Sequence, residues 1–404
     1  HPRRARLHAN VPVRQSGRVN ELVAIDLPGG DAFVDAVRRC WDRGDAVLPI
    51  PQRGPDDWRR GVVDAMRPTR VVDASGEETA LPGGQPVEPG DAVIIATSGT
   101  SGTPKGAVHT HESVTHAAYA TAAAVGVAPD AAWLACLPLD HVGGFSVITR
   151  ALITGAGLTV HDGFAAERVD QAGRSGATHV SLVPAVLDRI DTTAWRTILL
   201  GGSAIPAERP ANTIATYGMT ETFGGVVYDG LAIGGTSMRI GDDRAPDESG
   251  PIELATRSLL RCYRDGSDPV ASNGWYRTGD IGWIEPGTGR LHVDGRADDL
   301  IITGGEKVWP HNVEQVIADH HGVVEVAVVG RPDPTWGQIV TAVVVPTTAP
   351  PTLDALRGLV ESRLPPACAP RAMEFVDSLP RTSLGKIRRS ELLDERGETG
   401  KPTQ

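Results

Sequence analysis

The sequence of 404 residues has few cysteines, no long apolar run and a deficit of positive charge. Its four cysteines lie far apart and form no Cys-x-x-Cys pair: Cys40, Cys136, Cys262 and Cys368. This spacing indicates neither a zinc site nor a disulfide framework, and it favours a reducing, cytoplasmic compartment. No apolar stretch is long enough to span a bilayer, and none follows the basic start. We therefore expect neither a membrane anchor nor a signal peptide.

The charge balance is negative, with 39 Lys and Arg residues against 50 Asp and Glu residues and a formal net charge of -11. Nucleic acids and anionic membranes require clustered positive charge, so neither is expected as the main partner. With 40% hydrophobic residues, the chain can bury a substantial core, and its length predicts two or more domains. These features favour a soluble enzyme acting on small molecules, which could also form a homo-oligomer.

Short β-like runs alternate with helical stretches between residues 92 and 217, which is the pattern of an α/β domain. Residues 234–294 contain many glycines and hairpin-like turns, which predict a β-rich subdomain. The predicted fold class is α/β: a large N-terminal domain (1–295) with this β-rich subdomain, a hinge (296–299) and a small mobile C-terminal α+β domain (300–404).

The local patterns also predict individual elements. In the N-terminal domain we predict strands at residues 46–49, 93–97, 133–137, 158–161, 179–183, 197–200 and 213–217, with helices at 31–41, 112–125, 144–154, 165–175 and 184–190. In the C-terminal domain we predict strands at residues 300–303, 323–330, 340–346 and 372–376, with helices at 310–320 and 352–363.

The most informative segment is the run from Thr97 to Gly106, directly after the apolar residues 93–96. Its glycines let backbone N–H groups turn inward, its hydroxyls add donors, and Lys105 adds a positive charge. It is not a Walker A loop, because Lys105 lies between Pro104 and Gly106. An ordinary surface loop is the alternative. We predict a polyphosphate-binding loop made of Thr97, Ser98, Gly99, Thr100, Ser101, Gly102, Thr103 and Lys105.

Five further blocks follow in a fixed order. They begin with Gly201-Gly202-Ser203 and continue with residues 217–222 (Tyr-Gly-Met-Thr-Glu-Thr), 275–280 (Trp-Tyr-Arg-Thr-Gly-Asp), 295–306 and 380–389 (Pro-Arg-Thr-Ser-Leu-Gly-Lys-Ile-Arg-Arg). Together with the loop, this set resembles the adenylate-forming superfamily, which includes acyl-CoA synthetases, nonribosomal-peptide adenylation domains and firefly luciferases. The resemblance covers the chain from about residue 92 to residue 389.

The resemblance implies that the chain binds ATP, Mg²⁺ and coenzyme A. It assigns the adenine to Tyr217 together with Gly201, Gly202 and Ser203, and the ribose hydroxyls to Asp280, with Arg296 nearby. Packing is the alternative reading for Tyr217, and a turn is the alternative for Asp280.

The resemblance assigns the α-phosphate and Mg²⁺ to Thr220 and Glu221, with Glu221 as the metal ligand. It makes Lys386 the catalytic lysine of adenylation. His109, His111 and His116 lack the i, i+4 spacing of two ligands on one helical face, so we do not expect them to bind a metal.

The family chemistry has two steps: a carboxylate and ATP give an acyl-adenylate, and a thiol then displaces AMP. In the family the small domain rotates between the steps, which implies a hinge at Asp298 and a pantetheine tunnel beside Gly304 and Gly305. A catalytically silent nucleotide-binding relative is the alternative from another functional class.

The acid substrate is indicated by fewer residues. The block at 137–144 resembles the family's acyl pocket, with His141 near the reacting carboxylate, and Arg150 matches an arginine of o-succinylbenzoate–CoA ligases of menaquinone biosynthesis. Gly224 and Gly225 resemble the segment that leaves room for a benzoate ring in the short actinobacterial members. Arg150 could instead be a helix-surface arginine. We predict an o-succinylbenzoate–CoA ligase, or else a ligase for another aryl or short-chain acid.

Overall fold

The structure is a computed structural model that describes residues 19–98, 104–203, 205–206, 208–381 and 387–394, without the side chains of residues 98 and 394. It divides into two compact units. The first unit consists of the described residues up to Ser237 and of Ala255–Tyr276, and the second consists of Met238–Leu254 and the described residues from Arg277 onward. In this described part of the chain, no helix has both the length and the apolar character needed to cross a membrane.

The helices of the described residues are numbered in chain order. They are α1 (Asp31–Asp42), α2 (Asp56–Met66), α3 (His111–Ala124), α4 (Val142–Thr154), α5 (Ala166–Arg174), α6 (Pro310–Ala318), α7 (Leu353–Glu361) and α8 (Arg389–Asp394).

The strands are numbered in the same way. They are β1 (Leu22–Ile25), β2 (Ala46–Pro49), β3 (Arg70–Val72), β4 (Glu78–Ala80), β5 (Asp91–Ser98), β6 (Pro104–Thr110), β7 (Ala132–Ala135), β8 (Gly157–Val160), β9 (His179–Leu182), β10 (Thr197–Leu200), β11 (Thr213–Met219), β12 (Gly224–Tyr228), β13 (Leu231–Ala232), β14 (Thr236–Ile240), β15 (Gly250–Thr256), β16 (Cys262–Tyr263), β17 (Tyr276–Ile284), β18 (Leu291–Arg296), β19 (Ile301–Thr303), β20 (Glu306–Val308), β21 (Val323–Asp333), β22 (Gly337–Pro346) and β23 (Ala372–Phe375).

Two sheets form the first unit. Among the described residues, one has the strand order β16-β6-β5-β2-β1-β3-β4 and the other has the order β13-β12-β11-β10-β9-β7-β8. Their central strands are parallel, and short apolar runs such as β1 and β10 are buried along their whole length. Such continuous apolar runs are typical of strands covered on both faces.

A hydrophobic core joins the two sheets through α1, α3 and α4. It includes Phe33 of α1, Val114 of α3 and Phe145 of α4, with Val93 on one sheet and Trp133 on the other. Helix α4 is buried continuously from Gly144 to Ala151. Most residues of α4 are apolar, and a helix that is largely apolar around its circumference belongs in an interior, so the sequence explains its position.

The second unit contains a four-stranded sheet in the order β14-β15-β17-β18 and a sheet in the order β20-β19-β22-β21, with β23 added beside β22. Helices α6 and α7 cover one face of the latter sheet through Ile317 and Leu356, and Leu392 of α8 packs on the other face. This is a small α+β layer arrangement.

The predicted fold class is confirmed, and the predicted elements agree with the structure to within three residues at their ends. One predicted α-helix is wrong in type, because Pro184–Arg189 forms a 3-10 helix. Most of the β-rich region groups with the second unit. The domain boundary at residues 296–299 stays a prediction.

Candidate functional site

The predicted phosphate loop is flanked by two paired strands, β5 and β6. Antiparallel pairing of β5 with β6 places Thr97 opposite Lys105 and continues to Ser98 opposite Pro104. The run from Thr97 to Gly106 is therefore only partly a loop, because Thr97 and Ser98 lie in β5 and residues 104–106 lie in β6. Gly99, Thr100, Ser101, Gly102, Thr103 and the side chain of Ser98 lie outside the described residues, so their phosphate contacts stay predictions.

Lys105 and Glu221 both contact Tyr263 in the first unit. The Tyr263 hydroxyl donates a hydrogen bond to Glu221 Oε1 at 2.8 Å, and Lys105 Nζ lies 5.3 Å from the centroid of the Tyr263 ring. Tyr263 reaches this position because β16 pairs with β6, with Tyr263 opposite Ala107. The two predicted phosphate-binding groups of this unit thus share one aromatic neighbour.

A 3-10 turn, Thr220–Thr222, connects β11 to β12 and carries Glu221. The turn is held from inside by Thr222, whose buried hydroxyl donates to the Gly224 carbonyl at 2.7 Å. It is held from β6 by His109, whose Nε2–H donates to the Thr220 carbonyl at 2.8 Å. Burial lowers the pKa of His109 to about 4, so the ring is neutral at pH 7.

The predicted adenine site lies at the ends of β10 and β11. Gly201 follows β10 and has no room for a side chain, since a Cβ there would lie 2.6 Å from Thr216 Oγ1. Gly202 has φ +84°, in the left-handed region that favours glycine. Ser203 is exposed, and Tyr217 is half-buried in β11 next to a bulge in its pairing with β12. Gly201 thus has a packing reason for being glycine, and the assignment of these four residues to the adenine stays a prediction.

His141 lies at the N-terminal cap of α4, the helix that lines the predicted acyl pocket. Its carbonyl accepts hydrogen bonds from Gly144 N and Phe145 N, and its Nε2 lies 3.6 Å from Asp140 Oδ2. A Cβ on Gly224 would meet Ser146 of α4 at ordinary van der Waals distance, 3.8 Å from its Oγ. The start of α4 therefore faces the start of β12.

Gly225 has a packing reason for being glycine. A Cβ at this position would lie 2.9 Å from Tyr228 Cε1 and 3.0 Å from Thr216 Cβ. The chain's own side chains therefore fill the space beside Gly225. Its assignment to a substrate ring stays a prediction, as does that of Gly224.

Arg150 is buried, which rules out the alternative reading of a helix-surface arginine. Its side chain lies over the ring of Trp133, 4.4 Å from the centroid, and its Nε and Nη1 have no hydrogen-bond partner among the described residues. Burial lowers the pKa of Arg150, and the nearby Tyr228 counteracts this effect. A buried guanidinium with free donors is a site for a carboxylate.

In the second unit, Asp280 of β17 lies opposite Arg296 of β18 in the sheet register. Arg296 Nη1 donates to Asp280 Oδ1 at 3.3 Å and to the Thr278 carbonyl at 3.2 Å. The implied proximity of the two side chains is confirmed. Asp280 is 8% exposed, so its carboxylate is oriented before any ligand arrives.

The predicted hinge and tunnel residues also lie in the second unit. Asp298 is exposed in the 3-10 turn Ala297–Asp299, 3.8 Å from Arg296 Nη2. Gly304 and Gly305 connect β19 to β20 with φ of +59° and +88°. Two adjacent residues with positive φ form the tight hairpin turn that glycine favours. Lys386 lies outside the described residues, so its catalytic role stays a prediction.

The residues present fit ATP and Mg²⁺. In the described residues, no group of three or more His, Cys, Asp or Glu side chains gathers to hold a metal ion. Mg²⁺ commonly binds through one or two carboxylates and through substrate phosphates. Glu221, with Thr220 beside it, is therefore a sufficient set of protein ligands. The metal would enter with the nucleotide.

These features together define an adenylate-forming enzyme. The chain belongs to the AMP-binding enzyme family: the model of that family matches residues 42–263, and the model of the AMP-binding enzyme C-terminal domain matches residues 312–386. The predicted resemblance is confirmed. A probable 2-succinylbenzoate–CoA ligase of Mycobacterium tuberculosis is 36% identical over 342 residues, covering 78% of this chain and 87% of that protein.

Two solved structures of o-succinylbenzoate–CoA synthetase from Bacillus subtilis are similar throughout. One, in complex with its acyl-adenylate intermediate, has a TM-score of 0.84 at 26% identity and covers 94% of this chain and 90% of that chain. The other, in complex with ATP and magnesium ion, has a TM-score of 0.82 at 26% identity, with coverages of 93% and 90%.

Three residues of the site escaped the sequence reasoning: His109, Trp133 and Tyr263. His109 was considered only as a metal ligand, and the other two belong to no motif. The aromatic fraction of the chain is 4%, so each aromatic residue near a motif was itself a signal.

Proposed function

We propose that this chain is an ATP-dependent, AMP-forming o-succinylbenzoate–CoA ligase of menaquinone biosynthesis, with Mg²⁺ as metal ion and coenzyme A as co-substrate. The 36% identity to a probable ligase of this kind supports the reaction. Arg150 supports o-succinylbenzoate as the acid substrate, because it is a buried cation of the predicted acyl region. Its Nε and Nη1 lack an acceptor among the described residues. A cytoplasmic location and a homo-oligomeric state stay predictions.

In the first step, a carboxylate oxygen of the acid attacks the α-phosphate of ATP, and pyrophosphate leaves with the bonding electron pair. Tyr217 and the backbone at Gly201 and Gly202 bind the adenine, and Asp280 accepts hydrogen bonds from the ribose hydroxyls. Mg²⁺ supplies neutralisation of phosphate charge beside Glu221, Thr220 orients the α-phosphate, and Lys386 balances the charge that develops.

In the second step, the thiol of coenzyme A loses its proton to water as its sulfur attacks the acyl carbon, and AMP leaves with the bonding electrons. Rotation at Asp298 would withdraw Lys386 and bring Gly304 and Gly305 to the thiol's path. The glycines leave room for the narrow pantetheine arm.

The acid is activated at its aliphatic carboxylate, near His141 at the start of α4. The ring carboxylate then needs a cationic partner inside the pocket, and Arg150 lies nine residues further along the chain in the same helix. Pairing Nε and Nη1 of this buried guanidinium with a carboxylate supplies charge-assisted hydrogen bonds that each contribute about 1.5–3 kcal/mol. An acid without a ring carboxylate forgoes them.

The test is CoA-dependent AMP release with o-succinylbenzoate, 4-oxo-4-phenylbutyrate, benzoate and a medium-chain fatty acid. We expect strong preference for o-succinylbenzoate, and Arg150→Ala should lower its kcat/KM by about 10- to 150-fold. Arg174→Ala is the matched control, because Arg174 is an exposed arginine paired with Asp191 at 3.0 Å. Equal turnover of 4-oxo-4-phenylbutyrate would contradict the proposal that o-succinylbenzoate is the substrate. ATP binding without pyrophosphate exchange for any acid would instead indicate a silent relative.

A further inference from the structure

Tyr263 connects the turn that carries Glu221 to the strand that carries Lys105. It belongs to none of the sequence blocks that indicate the chemistry, yet its hydroxyl contacts Glu221 Oε1 at 2.8 Å and its ring contacts the ammonium of Lys105. We propose that Tyr263 is a positioning residue that orients the Glu221 carboxylate toward the metal and holds Lys105 beside the phosphate hairpin. This inference rests on the proposed adenylate-forming function.

The segment around Tyr263 is rigid enough for this role. Tyr263 N donates to the Ser267 carbonyl at 2.8 Å, and the pairing of β16 with β6 fixes the strand in the sheet. Leu260 N donates to the Glu221 carbonyl at 2.8 Å. One short segment therefore holds Glu221 at two points, its backbone and its side chain.

The hydrogen bond has a defined direction. A carboxylate oxygen accepts and does not donate, so the phenol O–H donates and its proton points to Glu221 Oε1. With Oε1 engaged in this way, Oε2 remains as the oxygen for a cation.

Orientation matters here because few protein groups are available. Mg²⁺ demands near-ideal octahedral geometry, and Glu221 is the carboxylate that the motif supplies. A carboxylate held in one rotamer loses less conformational entropy when it coordinates than one that rotates freely. Removing the phenol should therefore weaken metal binding more than nucleotide binding.

The experiment measures Mn²⁺ binding to the enzyme–ATP complex by electron paramagnetic resonance, because Mn²⁺ substitutes for Mg²⁺ and is visible spectroscopically. Tyr263→Phe removes only the hydroxyl and should weaken Mn²⁺ binding about tenfold, the effect of one hydrogen bond to a charged group. ATP affinity in EDTA should be unchanged. Tyr263→Leu also removes the ring beside Lys105, and it should lower that metal-free affinity about threefold.

Tyr119→Phe is the matched control, since Tyr119 is exposed and its hydroxyl lies 3.5 Å from the Ile153 carbonyl. It should bind Mn²⁺ and ATP as the parent protein does. Unchanged Mn²⁺ affinity in Tyr263→Phe would overturn the proposal. Equal losses of ATP affinity with and without metal would also overturn it, because a merely structural role acts on both. No acid is present, so rejection of o-succinylbenzoate as substrate leaves this result unaffected.

Discussion

The guanidinium of Arg150 lies 4.4 Å from the ring centroid of Trp133, and the ring of His179 also lies beside Trp133, with 4.7 Å between the ring centroids. The pKa of His179 is lowered to about 4 by burial and then by the positive charges of Arg196 and Arg150. At pH 7 the imidazole is therefore neutral, and Arg150 supplies the positive charge of this stack.

Arg150→Met should separate stability from activity. Among the described residues, Nε and Nη1 of this buried cation have no hydrogen-bond partner, which is costly. Its replacement by an apolar side chain of similar length should therefore raise the free energy of unfolding of the ligand-free protein by about 1–4 kcal/mol. Turnover of o-succinylbenzoate should fall at the same time, because the ring carboxylate loses its partner. Urea unfolding and AMP release measure the two effects. A variant that is less stable and fully active would contradict the assignment of Arg150 to the substrate.

Asp280→Asn should raise the KM for ATP about tenfold while leaving the KM for the acid near its normal value. The amide loses the charge that strengthens hydrogen bonds from two hydroxyls, and it keeps the shape of the carboxylate. Initial-rate kinetics with each substrate varied give both constants. Asp242→Asn is the control, since Asp242 is an exposed partner of Arg277 at 2.9 Å in the same unit. An unchanged KM for ATP would show that Asp280 does not bind the ribose hydroxyls.

Asp298→Pro should uncouple the two half-reactions. Proline fixes φ and restricts the residue before it, so the rotation needed for the second step is lost while the first step continues. Pyrophosphate exchange should persist, and thioester formation from preformed acyl-adenylate should fall at least about tenfold. Asp298→Ala keeps the backbone free and should lower neither rate. Equal loss of both half-reactions in the proline variant would place the hinge elsewhere.

His109 should make the protein less stable in mild acid. Its folded pKa of about 4 lies below the ordinary value of 6.5, so the unfolded chain binds a proton that the folded chain excludes. Stability is therefore complete above pH 6.5 and is lost as the pH falls toward 4, by about 1.4 kcal/mol per pH unit.

His109→Gln keeps an N–H donor for the Thr220 carbonyl and cannot titrate, so its stability should fall less between pH 6.5 and pH 4. Urea unfolding at several pH values measures the difference. Val114→Ala is a suitable comparison, since Val114 is 1% exposed and carries no titratable group. It should lower stability by a similar amount at each pH. A glutamine variant with the parent's pH dependence would show that His109 is not the group responsible.

The sequence predicted the elements of this protein well because its signals are local. The strand predicted at 197–200 has the same bounds as β10 in the structure. The burial of Arg150 was not predicted, although the local sequence indicates it. Apart from Arg150, the central residues 144–151 of α4 are apolar or small and uncharged, and such a helix is buried, so the surface reading could have been rejected from the sequence.

Contacts across long stretches of chain could not be predicted in this way. His109 and Thr220 are 111 residues apart, and Tyr263 and Glu221 are 42 residues apart. Their hydrogen bonds depend on which strands pair and in which register, and no spacing in one sequence specifies that. The segment around Lys105 was predicted incorrectly for a local reason. Its glycines and hydroxyls are typical of a loop, but Lys105 belongs to β6.

Strand β6 carries Lys105 and His109 at an even spacing, so both side chains point to the same face of the sheet. Strand geometry separates their Cα atoms by about 13 Å. The strand therefore sets a constant distance between Lys105 and His109, which contacts the turn that carries Glu221. Insertions or deletions at the hairpin tip would leave this distance intact. A slip of one residue within β6 would turn both groups to the opposite face together.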